Sequence, residues 1–93
     1  MRYRNLIGPQ IRKLRFQRGW TQDQLAGALQ REGLDISRSG LAKIESRMVW
    51  VGDHEVLFFM RVLRVEFEDL LPPINPHRPG FYENLERLMQ SRP

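Results

Sequence analysis

Residues 21–45 read TQDQLAGALQREGLDISRSGLAKIE. Two helix starts lie inside these residues. The Thr21 hydroxyl can accept from the N–H of Gln24, whose side chain can reach back, so Thr21-Gln22-Asp23-Gln24 is a capping box. Asp23 adds negative charge at the positive end of the helix dipole. Leu25, Ala26 and Leu29 form a buried stripe, and Gly33 is the stop. The second start is Ser37. Ile36 and Leu41 flank it at the spacing of a hydrophobic staple, which fixes how the chain enters the helix. Leu41 and Ile44 face the core, so Arg38, Ser39, Ala42, Lys43 and Ser46 face outward. So short and polar a helix can be held only by its neighbours.

The flanking segments read as helix too. Upstream, a helix is expected from about Gly8 to Arg18. Pro9 suits its first position, Ile7, Ile11 and Leu14 share one face, and Gly19 ends it. Downstream, a loop spans 47–52 and Asp53 caps a helix running to about Arg64. At about 100° per residue, Val56, Phe59, Met60 and Leu63 are expected in the core, with Phe58 and Val62 on the opposite side. Glu66 to Leu71 reads as a short helix stopped by Pro72-Pro73. The Pro-rich stretch 73–80 reads as a stiff linker. Phe81 to Ser91 is a last amphipathic helix with Phe81, Leu85 and Leu88 in register and Tyr82 and Met89 beside them. The expected fold is all-α: a bundle of five helices over residues 1–72, plus a tethered helix over 81–93.

Composition narrows the function classes. The chain has 93 residues, 41% hydrophobic and 28% charged, which suits one small domain. With no cysteine, disulfides and thiolate chemistry are excluded, and two histidines, His54 and His77, are too few for a histidine-based metal site without carboxylate help. The start lacks the apolar stretch of a signal peptide, and no apolar run approaches the roughly 18 residues of a membrane span. A cytoplasmic protein without membrane, metal or cofactor is expected. Glu66, Glu68 and Asp69 suit the dipole of a short helix better than acid–base chemistry, so no catalytic residue and no enzyme is expected. Residues 1–50 hold ten of the 15 Lys and Arg but four of the 11 Asp and Glu. A basic half beside a slightly acidic one is the layout of a nucleic-acid binder with a separate partner surface.

Two short helices joined by a turn, the second polar on its outer face, is the helix-turn-helix arrangement. The second helix must be narrow and polar to enter the major groove, and the first braces it. Thr21 and Gln22, at the start of the first, can reach a phosphate. The block from Arg15 to Ala26, then Ile36 to Glu45, then Met48 to Val56 and Phe67 to Pro72 together resemble the XRE family of helix-turn-helix regulators, which includes Cro and the lambda repressor. The resemblance covers about Ile7 to Pro72. It implies a lambda repressor-like bundle that binds double-stranded DNA and regulates transcription. It implies that Gln22 touches a phosphate, that Arg38, Ser39, Gly40 and Lys43 face the groove with Arg47 nearby, and that Arg15 pairs with Glu45. The chain departs from the family pattern in a longer path from Ala26 to Ser37, in Gly40, which offers no side chain to a base, and in the apolar Val49 and Trp50.

Two functions follow as expectations. The first is a sequence-specific DNA-binding regulator, a repressor acting as a homodimer at an operator. The second is a protein-interaction module, such as the antitoxin of a toxin–antitoxin pair or an adaptor. It is favoured by Gly40, by Val49-Trp50 and by exposure of Phe58 and Val62. Phe58, Val62, Phe81, Leu85, Leu88 and Met89 are the expected dimer or partner surface. The last helix either folds back within its chain or crosses to a second copy.

Overall fold

The computed structural model describes residues 2–90. Five α-helices follow one another: α1 (Gly8–Gln17), α2 (Gln22–Glu32), α3 (Arg38–Glu45), α4 (Asp53–Leu63) and α5 (Phe81–Met89), with a 3-10 turn at Phe67–Leu70 before α5. No strand forms among the described residues beyond one isolated antiparallel bridge, Arg2 to Gln90. No helix of the described residues is long and apolar enough to cross a membrane. Ser91, which ends the last helix in the sequence reading, lies outside the described residues.

The capping chemistry operates at both helix starts. Thr21 Oγ1 accepts from the Gln24 N–H at 3.1 Å, and Gln24 Oε1 accepts from the Thr21 N–H at 2.8 Å. Ser37 Oγ accepts from the Gly40 N–H at 3.0 Å. Gly33 closes α2 at φ +110°, a left-handed conformation that costs glycine nothing. At α4 the cap is Gly52, with Asp53 the first helical residue, and Glu55 accepts the Gly52 N–H at 2.7 Å. The segment read as a fifth helix is only the 3-10 turn, which drives the fully buried Leu70 between α1 and α4.

Ile7 and Ile11, Leu25, Ala26 and Leu29, Leu34 and Ile36, Leu41 and Ile44, Phe59 and Leu63, and Leu70 make one continuous core. Phe58 and Val62 correct the sequence reading. Both are half-buried and pack on that core. Counted from Phe59 at about 100° per residue, Val56 and Met60 lie on one flank and Phe58 and Val62 on the other. The apolar arc of α4 is therefore wide and centred on Phe59 and Leu63, and only Leu57 escapes it, at 64% exposure. Val62 lies beside Trp20, Ala28 and Arg31.

The stripe of α5 does not cover Phe58 or Val62. Its Leu85 and Met89 instead face Leu6 and Trp50 across an open apolar groove of about 660 Å³. Backbone pairing fixes this placement. The Tyr3 N–H donates to the Met89 carbonyl at 2.7 Å, and the Arg4 N–H donates to the Arg47 carbonyl at 3.0 Å. On the surface, Arg2 bonds Glu86 at 2.5 Å, and this hydrogen bond holds the Glu86 carboxyl below its ordinary range.

Candidate nucleic-acid interface

α2 and α3 are joined by the five residues 33–37. Leu34 and Ile36 bury their side chains, and the Gln30 carboxamide donates to the Ile36 carbonyl at 2.5 Å, so the connection is a fixed turn. Leu41 and Ile44 anchor the inner face of α3. Arg38, Ser39 and Lys43 are exposed on its outer side. The start of α2 lies beside them: one cleft of about 410 Å³ is lined by Thr21, Gln22, Asp23 and Arg38 together with Arg15, Phe16 and Trp20. Thr21, Gln22 and Arg38 thus share one cleft, with Ser39 and Lys43 exposed further round α3.

Arg38 lies 3.9 Å from the Asp23 carboxylate, with both groups mostly in solvent. Such a pair contributes at most about 1 kcal/mol, so Arg38 is free to exchange partners. Ser39 Oγ sits 3.2 Å from Ser37 Oγ at the cap.

Behind this face is a buried ion pair. Arg15 Nε and Nη2 donate to the two Glu45 oxygens at 2.8 and 2.9 Å, a bidentate fork. Arg15 Nη1 donates to the Trp20 carbonyl at 2.9 Å. The hydrogen bonds that Arg15 donates to Glu45 raise the Arg15 pKa. Gln22 Nε2 donates to Glu45 Oε1 at 3.1 Å. One carboxylate of α3 therefore gathers α1 and the start of α2, which fixes the pitch of α3. Gln22 belongs to this network through its side chain, which the family resemblance assigns to phosphate; the Gln24 N–H in the same turn is taken by the Thr21 hydroxyl.

Two residues expected at the groove are turned away from it. A Cβ on Gly40 would meet Ser37 Oγ at 3.3 Å and Ile36 Cγ1 at 3.4 Å, so this position faces the turn. Arg47 takes a left-handed backbone at φ +66°, two residues past the end of α3. Its Nε donates to the Asn5 carbonyl at 2.7 Å, its Nη2 donates to the Leu88 carbonyl at 2.6 Å, and its guanidinium lies 4.1 Å from the Tyr3 ring centre. Burial pushes the Arg47 pKa down. Arg47 is a clasp holding α5 and residues 2–5 to the end of α3, with no free fork for a phosphate.

Asn5 is a structural residue that periodicity does not reveal, because it precedes the first helix. It is buried, accepts the Gly8 N–H at 2.9 Å, and donates to the carbonyls of Ile44 at 3.2 Å and Val49 at 3.0 Å. Among the described residues no three His, Asp or Glu side chains gather as metal ligands. Compared with protein-family models, curated proteins and solved structures, the chain matches none.

Proposed function

We propose that α2 and α3 act as a lambda repressor-like helix-turn-helix and that the protein is a sequence-specific, double-stranded DNA-binding regulator of transcription, a repressor. One observation carries this reading: the exposed face of α3 bears Arg38, Ser39 and Lys43 and no large apolar residue, and it shares a side with the capped start of α2. A helix so polar on its outside fits a major groove, where Arg38 can take guanine O6 and N7 as a bidentate pair. At the start of α2 the Gln24 N–H is capped by Thr21, which leaves the Gln22 and Asp23 N–H groups for a phosphate oxygen.

Arg38→Ala and Lys43→Ala are each expected to weaken binding to a selected duplex by about 1–3 kcal/mol and to relax preference at one base pair. The thermal midpoint should hold, since both side chains are exposed. Selection of duplexes by the purified protein at two salt concentrations is the test. Unchanged affinity in both variants would remove α3 from the reading role.

A homodimer belongs to the same proposal, because one eight-residue helix reads few base pairs and a two-fold pair doubles the site, with half-sites about 34 Å apart. Since Phe58 and Val62 serve the core, the open groove of α5 is the apolar surface proposed for a second copy. Light scattering of the full chain should give twice the monomer mass; a monomer at tens of micromolar would refute the dimer. A second reading, a protein-interaction module of the antitoxin or adaptor kind, is favoured by Met48 and Trp50, 63% and 70% exposed in the loop between α3 and α4. Failure to select any duplex would favour it.

A further inference from the structure

A notch of about 240 Å³ opens where α1, α2 and α3 converge, between the outer face of α3 and the flank of α1. Its walls are Arg12, Gln22, Ala42 and Ser46, and its floor is the Arg15–Glu45 pair. The floor is electrically spent. Arg15 has committed Nε, Nη1 and Nη2 to Glu45 and the Trp20 carbonyl, so the pair sums to zero charge. Arg12 is exposed and has no carboxylate partner among the described residues. The notch therefore carries a net positive charge that belongs to Arg12 alone.

The geometry of Arg12 suits one kind of ligand. Its guanidinium lies 5.3 Å from the Phe16 ring centre, one helical turn along α1. The same ring also has the Arg15 guanidinium 4.6 Å from its centre; a ring contact takes none of the Arg12 N–H groups, and that fork matches two oxygens of a phosphate. The ring also restricts the side chain, so less freedom is lost on binding. Ala42, the small residue of α3 on this side, leaves room for a phosphate between the helices.

We propose that Arg12 is a phosphate-gripping residue of the DNA interface, holding the duplex backbone against the notch beside α3 and so fixing how deeply that helix enters the groove. This rests on the DNA-binding reading above. Arg12 positions and does not read bases, and α1 thereby becomes a third element of the interface.

The test compares wild type, Arg12→Ala, Arg12→Lys and Arg38→Ala by titrating a selected duplex and an unrelated one from 50 to 200 mM salt. For Arg12→Ala the loss should be the same factor on both duplexes. The slope of log K against log salt should fall by about 0.9, so the deficit against wild type shrinks roughly threefold across that range. Arg12→Lys should recover the slope. Arg38→Ala should instead lose discrimination between the duplexes. An Arg12→Ala protein of unchanged slope and affinity, with Arg38→Ala impaired, overturns this assignment and leaves the DNA-binding reading standing. Wild type that binds neither duplex overturns both. The thermal midpoint of Arg12→Ala should match wild type, and a shifted midpoint with an unchanged slope makes Arg12 structural and refutes the proposal.

Discussion

Arg15→Ala should lower the free energy of unfolding by about 3–5 kcal/mol, the range for a buried ion pair that loses one member. The Glu45 side chain is only 3% exposed, and after the change it would keep one donor, Gln22 at 3.1 Å. The Trp20 carbonyl would lose its donor as well. The cost arises from a stranded charge more than from a missing attraction, so removing both members should cost less than the sum of the two single changes. Arg15→Met combined with Glu45→Leu should recover most of the loss, because apolar side chains of similar volume need no partner. Chemical denaturation of the single and double variants measures the coupling. Additivity within about 0.5 kcal/mol would mean that the two residues act independently.

Gly8→Ala should cost about 3 kcal/mol, at the upper end for an overpacked site. A Cβ at this position would stand 2.3 Å from the Ile44 carbonyl oxygen and 2.8 Å from that of Glu45. These are backbone atoms in the last turn of α3 and cannot rotate aside, so the start of α1 must move away from α3. The displacement would also break the Asn5 hydrogen bonds to Gly8 and Ile44. Gly27→Ala is the matched control. It sits within α2, where the added carbon meets only the flexible end of Arg31 at 3.5 Å, and gaining alanine should stabilise by up to about 1 kcal/mol. If the two changes had equal effects on a denaturation midpoint, close approach of α1 to α3 would not be what Gly8 provides.

What the sequence made legible is what local chemistry decides. Thr21, Gln24, Ser37 and Gly33 announce helix ends through hydrogen bonds spanning three or four residues, and the structure places those ends there. The stripes of α1, α2 and α3 follow the helical period. The width of a stripe is harder to read. On α4 nearly every residue from Val56 to Leu63 is apolar, and assigning four to the core leaves the next two looking spare when they are the flank of the same arc. Arg47 and Gly8 were not legible at all, because their roles depend on distant residues. A guanidinium looks alike whether it reaches a phosphate or the carbonyls of Asn5 and Leu88, and a glycine at a helix start does not name the helix that crosses it. At the candidate interface, Arg38, Ser39 and Lys43 follow from the period of α3. The notch and Arg12 require knowing how α1 crosses that helix.

The clasp between residues 2–5, Arg47 and α5 bears on the order of folding. Arg2 and Glu86 are 84 positions apart in sequence, so their meeting closes almost the whole chain into one loop. The entropy of that closure is smallest once α1 to α4 have drawn the intervening residues together, so the clasp belongs to the native side of the folding barrier. Interactions formed there govern how fast the native state opens and leave the rate at which it forms almost untouched. Arg47 thus acts as a latch on the lifetime of the fold, set two residues after the helix proposed to enter the groove.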